Sequence, residues 1–180
     1  AAMGAEVVFV TGPATAPHPD GCQIVEVETA AEMLAAVENA LPADAVICAA
    51  AVADWRVTDA ADQKIKKSAD GALPTLQFTE NPDILATLSR HAKRPRLVVG
   101  FAAETENLHA NAVAKLARKG CDWNVANDVN PATGIMGGTE NAVHLITKEG
   151  VEDWPRMAKT EVAEKLARRV ATALCAETAT

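Results

Sequence analysis

Tyrosine is absent from the 180 residues, and only three phenylalanines and three tryptophans are present. A core made from this chain is left to Ala, Val and Leu, a composition suited to helices packed closely on a sheet. No apolar run approaches the roughly 18 residues that a membrane-crossing helix needs, and no charged start leads into an apolar secretory segment. Cys22, Cys48, Cys121 and Cys175 are scattered without a C-x-x-C spacing. That argues against a zinc site or a disulfide framework, and for a reducing cytoplasm. Cys48, inside an apolar run, reads as a buried small hydrophobe. Positive charge is short as well: 17 Lys and Arg stand against 24 Asp and Glu, a net charge of −7. Binding of nucleic acid by general phosphate attraction is not expected, although a locally basic nucleotide site remains open. Neither G-x-G-x-x-G after a strand nor G-x-x-x-x-G-K-[ST] occurs. His18, His91, His109 and His144 show no H-x-x-x-H spacing and no Ser or Cys partner. His144 reads as a satisfied core histidine.

What is present alternates between strands and helices. Strands are expected at Glu6–Thr11, Gln23–Val27, Ala45–Cys48, Leu97–Phe101, Trp123–Ala126 and Ala142–Ile146, with an extended piece from Leu73 to Thr79. Thr29 and Glu32 form a capping box, and Met33, Leu34, Val37 and Leu41 share the face of the helix that follows. Asn81-Pro82-Asp83 reads as a helix start, with Asn81 as the cap and the helix running to about His91. Two further helices are expected at Asn107–Lys119, stopped by Gly120, and from Thr160 to about Ala176, with Val162, Leu166, Val170 and Leu174 at helical spacing. This order predicts a single α/β domain over residues 1–180, Rossmann-like in the broad sense: a mostly parallel sheet with helices on both faces. A chain of this length buries a sizeable core.

Residues 45–67, AVICAAAVADWRVTDAADQKIKK, carry the densest functional signal. A buried strand empties into small residues, which let a ligand approach the backbone, and ligands of open α/β sheets sit at the carboxyl ends of the strands. Thr11-Gly12, Ala50 to Asp54, Phe101 to Glu104 and Asn127-Asp128 all end strands in small or polar residues, and parallel strands would gather them at one crevice. Asp54 reads either as a solvated loop carboxylate or as a hard oxygen contact to a ribose or Mg²⁺. Lys64 to Lys67 read either as a solvated face or as a cationic flap over a phosphorylated ligand. The helix behind Pro82 and Asp83 is either an ordinary capped helix or an anion holder. Lys115 and Lys119, four apart, share a helix face and could reach one phosphate chain.

Five stretches then occur together in order: AAAVADWRV (49–57), KIKK (64–67), NPDIL (81–85), VGFAAET (99–105) and ANDV (126–129). In that order and spacing the chain resembles bacterial phosphopantothenate–cysteine ligase, the phosphopantothenoylcysteine synthetase part of a bifunctional coenzyme A biosynthesis flavoprotein. The match runs from Glu6 to the final helix. The resemblance implies a cytoplasmic, Rossmann-like homodimer. Its members activate 4′-phosphopantothenate with CTP and Mg²⁺, release pyrophosphate, and let the amine of L-cysteine attack the acyl-cytidylate. It further implies that Cys48, Ala49 and Ala50 line the nucleotide site and that Asp54 contacts CTP. Pro82, Asp83, Ile84 and Leu85 would contact the nucleotide, Phe101 would wall the site, and Lys115 and Lys119 would complete it. Lys64 matches the lysine used in converting the acyl-cytidylate. No residue is implied as a resident metal ligand, and no nucleic acid or membrane as a partner.

The family begins with a glycine-rich first strand and turn, then an asparagine-bearing loop and the first helix; the resemblance leaves these without a counterpart here, except that Ala1 to Ala5 read as the last turn of that helix. In bifunctional members a flavin-dependent decarboxylase precedes them. Two other readings compete. One is an NAD(P)-binding oxidoreductase domain, with Glu26 or Glu28 placed to meet a ribose. The other is a non-catalytic Rossmann-like interaction module, which predicts no nucleotide selectivity.

Overall fold

Short β-branched runs bounded by turn residues give the strands in a computed structural model, which describes residues 1–58, 75–104, 108–128 and 138–177. The first elements are β1 (Val8–Thr11), β2 (Gln23–Glu26), α1 (Ala30–Asn39), β3 (Ala45–Cys48), β4 (Trp55–Val57) and β5 (Phe78–Glu80). There follow α2 (Ile84–Ser89), β6 (Leu97–Glu104), α3 (Leu108–Lys119), β7 (Trp123–Asp128), β8 (Glu140–Ile146), β9 (Val151–Ala158) and α4 (Lys159–Glu177). The described residues group into two compact units, Ala1–Ala36 with Ala50–Asp83, and Val37–Ala49 with Ile84–Thr180. Lys64 and the rest of the KIKK run lie outside the described residues, as do 130–137 of the expected turn.

The second unit is built on a five-stranded sheet in the order β3-β6-β7-β8-β9. β3, β6 and β7 pair in parallel, while β8 is antiparallel to both β7 and β9. Four of the five strands therefore run the same way, and β8 alone is reversed. The tight connection from β8 to β9 explains the reversal: Thr147 N–H donates to the Gly150 carbonyl at 2.9 Å, and Gly150 takes a φ of 148° that a side chain would resist.

Alternation along the strands splits the core into two faces. Leu97, Val99, Trp123, Val125, Val143, Leu145 and Trp154 pack with Val162 and Leu166 of α4. On the opposite face Val98, Ala102, Ala126 and Ile146 pack with Leu85 of α2 and with Ala112 and Leu116 of α3. Helices cover both faces, as the strand–helix alternation predicts. At Gly100 an added Cβ would lie 2.5 Å from Leu85 Cδ2, so the bare backbone there lets α2 press against β6. Arg94 ties the lower end together, donating to the Ser89 and Pro95 carbonyls and to Asp122 Oδ2, which also accepts from Val98 N–H.

The first unit holds two small sheets, β1 with β2 in parallel and β4 with β5 antiparallel. Its capping box forms as expected: Glu32 N–H donates to Thr29 Oγ1, and Glu32 Oε2 accepts from the N–H groups of Thr29 and Glu28. Those main-chain donors hold the Glu32 carboxyl below its ordinary value.

Several expectations change in detail. Cys48 is half-buried, and Cys121 is the cysteine sealed in the core, where burial pushes its thiol up. None of the four cysteines forms a disulfide. His144 is only half-buried, with Nδ1 2.5 Å from Asp153 Oδ1 across the β8–β9 pair. β6 runs on to Glu104 and β9 spans Val151–Ala158, where the sequence reading assigns no strand. Among the described residues no helix is long and apolar enough to cross a membrane.

Candidate functional site

Because β3, β6 and β7 are parallel neighbours, Cys48-Ala49, Phe101 to Glu104 and Asn127-Asp128 end at one edge of the five-stranded sheet. That is where open α/β sheets hold ligands. The fourth expected strand end, Thr11-Gly12, belongs to β1 in the other unit. At the edge, Ala49 is exposed and Cys48 packs beside the α2 and α3 face. Phe101 instead packs beside the α4 face, so its ring and Cys48 lie on opposite sides of the sheet. Its main-chain carbonyl meets the site differently, accepting a hydrogen bond from Lys115 Nζ at 2.8 Å.

Lys115 projects from α3, a helix held down by Ala112 and Leu116 on the same face. Lys119 follows one turn later and is half-exposed like Lys115. An ammonium has three donors, and an anion is a stronger acceptor than a neutral carbonyl. A phosphate chain arriving at this edge therefore has a positive group already ordered to meet it.

Ile84 and Leu85 are 9% and 8% exposed, so their side chains belong to the core and only their main-chain groups are left for a ligand. α2 ends at Ser89, short of the expected His91, where Ser89 Oγ donates back to the Leu85 carbonyl. Helical geometry starts at Ile84, which puts Asp83 rather than Asn81 in the position before the helix.

In the first unit the loop bearing Ala50 and Asp54 runs into β4, and the segment bearing Pro82 and Asp83 leaves β5. Asn81, expected only as a helix cap, is the fastener between them. Its Nδ2 donates to the Ala53 carbonyl at 2.8 Å, and its N–H donates to the Asp54 carbonyl at 2.8 Å. Arg56 adds a donor to the Glu80 carbonyl and, at 3.5 Å, to Asn81 Oδ1. Together these hold the ADW turn beside the NPD segment and leave the Asp54 side chain exposed. Nothing in the local sequence signals this fastening, because the Nδ2 donor and the main-chain N–H of Asn81 both reach backbone groups distant in sequence. No group of three or more His, Cys, Asp or Glu among the described residues could hold a metal ion. Mg²⁺ usually keeps its waters and substrate phosphate oxygens and takes one or two carboxylates, and Asp54 offers one such oxygen donor.

Residues 1–174 match the family described as DNA/pantothenate metabolism flavoprotein C-terminal domain. The chain is similar to the coenzyme A biosynthesis bifunctional protein CoaBC of Vibrio cholerae, 39% identical over 164 residues, which is 91% of this chain and 41% of that protein. It is 38% identical over 174 residues to the CoaBC protein of Escherichia coli K12, covering 96% of this chain and 43% of that protein. The chain thus spans about two fifths of the length of these relatives. Among solved structures, the C-terminal domain of a coenzyme A biosynthesis bifunctional protein CoaBC superposes with a TM-score of 0.75 at 32% identity, over 96% of this chain and 76% of that one.

Proposed function

Because the chain belongs to the DNA/pantothenate metabolism flavoprotein C-terminal domain family, we propose that it carries the ligase activity of coenzyme A biosynthesis, joining L-cysteine to 4′-phosphopantothenate with CTP. The observation that carries the reading is the similarity of nearly the whole chain, at 32% identity, to the C-terminal domain of a CoaBC protein. The sheet edge supports it, with small residues after β3 and the Lys115 ammonium at the Phe101 carbonyl. A homodimer in the cytoplasm, in a polypeptide that also holds a flavin-dependent decarboxylase, belongs to the same proposal.

In this reading an oxygen of the 4′-phosphopantothenate carboxylate attacks the α-phosphorus of CTP, and the bond to pyrophosphate breaks. Two anions meet in that step, so positive charge must offset their repulsion. Lys115 would leave the Phe101 carbonyl for the triphosphate, with Lys119 beside it. Cys48, Ala49 and Ala50 would let the nucleotide lie close to the backbone. The main-chain groups of Pro82 to Leu85 and the carboxylate of Asp54 would orient it. Mg²⁺, carried by the triphosphate, supplies charge neutralisation when bound. In the second step the amine nitrogen of L-cysteine attacks the acyl carbon, CMP leaves, and the amine proton passes to solvent. Lys64 would stabilise the tetrahedral oxyanion there. The substrate carboxylate is the nucleophile in the first step and the amine of L-cysteine in the second, so the chain need not supply a nucleophile of its own.

Calorimetric titration with Mg-CTP, Mg-ATP and NADPH tests the nucleotide half. Saturable binding that prefers CTP, weakened about tenfold or more by Lys115→Ala, is the expected result. Preference for NADPH would replace the ligase with an oxidoreductase domain. For Lys64→Gln, pyrophosphate release should survive while cysteine transfer slows, and equal loss of both would remove Lys64 from the second step.

A further inference from the structure

Asn124 is the one fully buried polar side chain on the α3 face of the sheet among the described residues. It is paired in register with Gly100 on one side and Ile146 on the other, among Val98, Ala126 and Leu116. Its Nδ2 donates to the Ala112 carbonyl at 3.0 Å, whereas its Oδ1 is buried with no hydrogen-bond partner. A buried acceptor without a partner costs free energy, and an apolar side chain of the same shape would avoid that cost. Nor does the Ala112 carbonyl need the amide, because it lies inside α3, whose own ladder supplies it with a donor. As a stabilising device, then, Asn124 is a poor choice for this position.

Its directional bond does something an apolar residue cannot. Ala112, Lys115 and Lys119 stand at i, i+3 and i+7, on one face of α3. A hydrogen bond to the Ala112 carbonyl sets both the height and the rotation of that face on β7. We propose that Asn124 is a positioning residue for the nucleotide: through Ala112 it fixes the height and rotation of the α3 face that carries Lys115 and Lys119, and so holds the Lys115 ammonium at the Phe101 carbonyl. Apolar packing alone leaves a helix free to slide or turn by a fraction of a turn on the small residues beneath it. An amide strut removes that freedom. The inference rests on the proposed nucleotide role of the two lysines.

The test compares wild type, Asn124→Leu, the Lys115→Ala/Lys119→Ala variant and the triple variant, by melting temperature, Mg-CTP titration and crystal structure. Asn124→Leu should melt at or above the wild-type temperature. In it Lys115 Nζ should no longer reach the Phe101 carbonyl, and the Kd for Mg-CTP should rise by about tenfold. In the lysine-free background the same change should add nothing. Unchanged CTP affinity, or an equal fold-loss without the lysines, would overturn the proposal, as would a marked fall in melting temperature with the lysine geometry intact. If wild type binds no CTP, the ligase reading fails, and the crystal structures still decide: Lys115 staying on the Phe101 carbonyl in Asn124→Leu overturns the positioning role, and its displacement supports it.

Discussion

The two units differ most in what they bury. Among the described residues, those sealed from solvent, from Leu41 to Leu166, all belong to the unit built on the five-stranded sheet, and the described part of the other unit contains none. Met3, Val8, Phe9, Trp55, Leu76 and Phe78 of that other unit are instead large apolar side chains left exposed. Paired strands of three or four residues, with few partners, cannot bury enough apolar surface to order a chain alone. Directed hydrogen bonds take that place there: the Asn81 fastener, the Arg56 clamp and the Thr29–Glu32 box. Loops that must admit a ligand belong to weakly buried regions, and the scaffold that aims charged groups at the ligand belongs to the core.

The sharpest break of this contrast is a pair of truncations. Leu145, with no exposed surface in β8, should cost about 2–5 kcal/mol when changed to Ala. Phe9→Ala in β1, at 37% exposure, should cost less than half as much, because the ring already leaves much of its area in water. Urea denaturation of both variants measures the difference. Equal losses would mean that the first unit holds a core after all.

Next in size is Gly100→Ala. The new Cβ would meet Leu85 Cδ2, and the forced shift of α2 should cost about 1–3 kcal/mol. Removing the obstacle with Leu85→Ala in the same chain should make the two changes clearly non-additive. Additive losses would show that the tight approach of α2 to β6 is not what the glycine serves.

What could be read from the sequence follows the same division. Ala45–Cys48 was legible to the residue because a short, partly β-branched apolar run without helical period reads as a strand, although the strand is an edge strand, half-buried rather than sealed, with Ile47 exposed. The strand at Trp123 and the helix behind it were legible for related reasons. β9 was not: Pro155 interrupts it and only Trp154 is buried, so an edge strand with a register shift opposite Asn141–Val143 leaves no alternation to count. β4 and β5 are exposed on most positions and carry even less pattern. At the candidate site, Asp54, Lys115 and Lys119 could be named because charge after a buried strand or on one helix face is visible in a string of letters. Asn81 and Asn124 could not be given their parts, since each acts by bonding a backbone group distant in sequence. The ring of Phe101 was placed at the site by resemblance, and strand alternation turns it to the α4 face while its carbonyl receives Lys115.

The smallest effect tests whether hydrogen bonds do replace burial in the first unit. Main-chain donors from Glu28, then Thr29, and the Thr29 hydroxyl hold the Glu32 carboxyl below its ordinary value of 4.5. A carboxyl depressed on folding stabilises the fold fully above its unfolded value, and that contribution disappears as pH falls through its folded value. Glu32→Gln should therefore melt slightly lower than wild type at pH 7, and amide exchange at Glu28 and Thr29 should speed up. Both differences should fade as the pH falls through the carboxyl's lowered folded value, where the wild-type side chain itself takes up a proton. Glu149, held low chiefly by the Thr147 hydroxyl in the β8–β9 turn, is the matched site in the other unit. Its change to Gln should leave exchange in β8 almost untouched, because Leu145 and Ile146 are anchored by burial. If Glu149→Gln loosens its surroundings as much as Glu32→Gln does, then burial does not protect the second unit in the way the contrast requires.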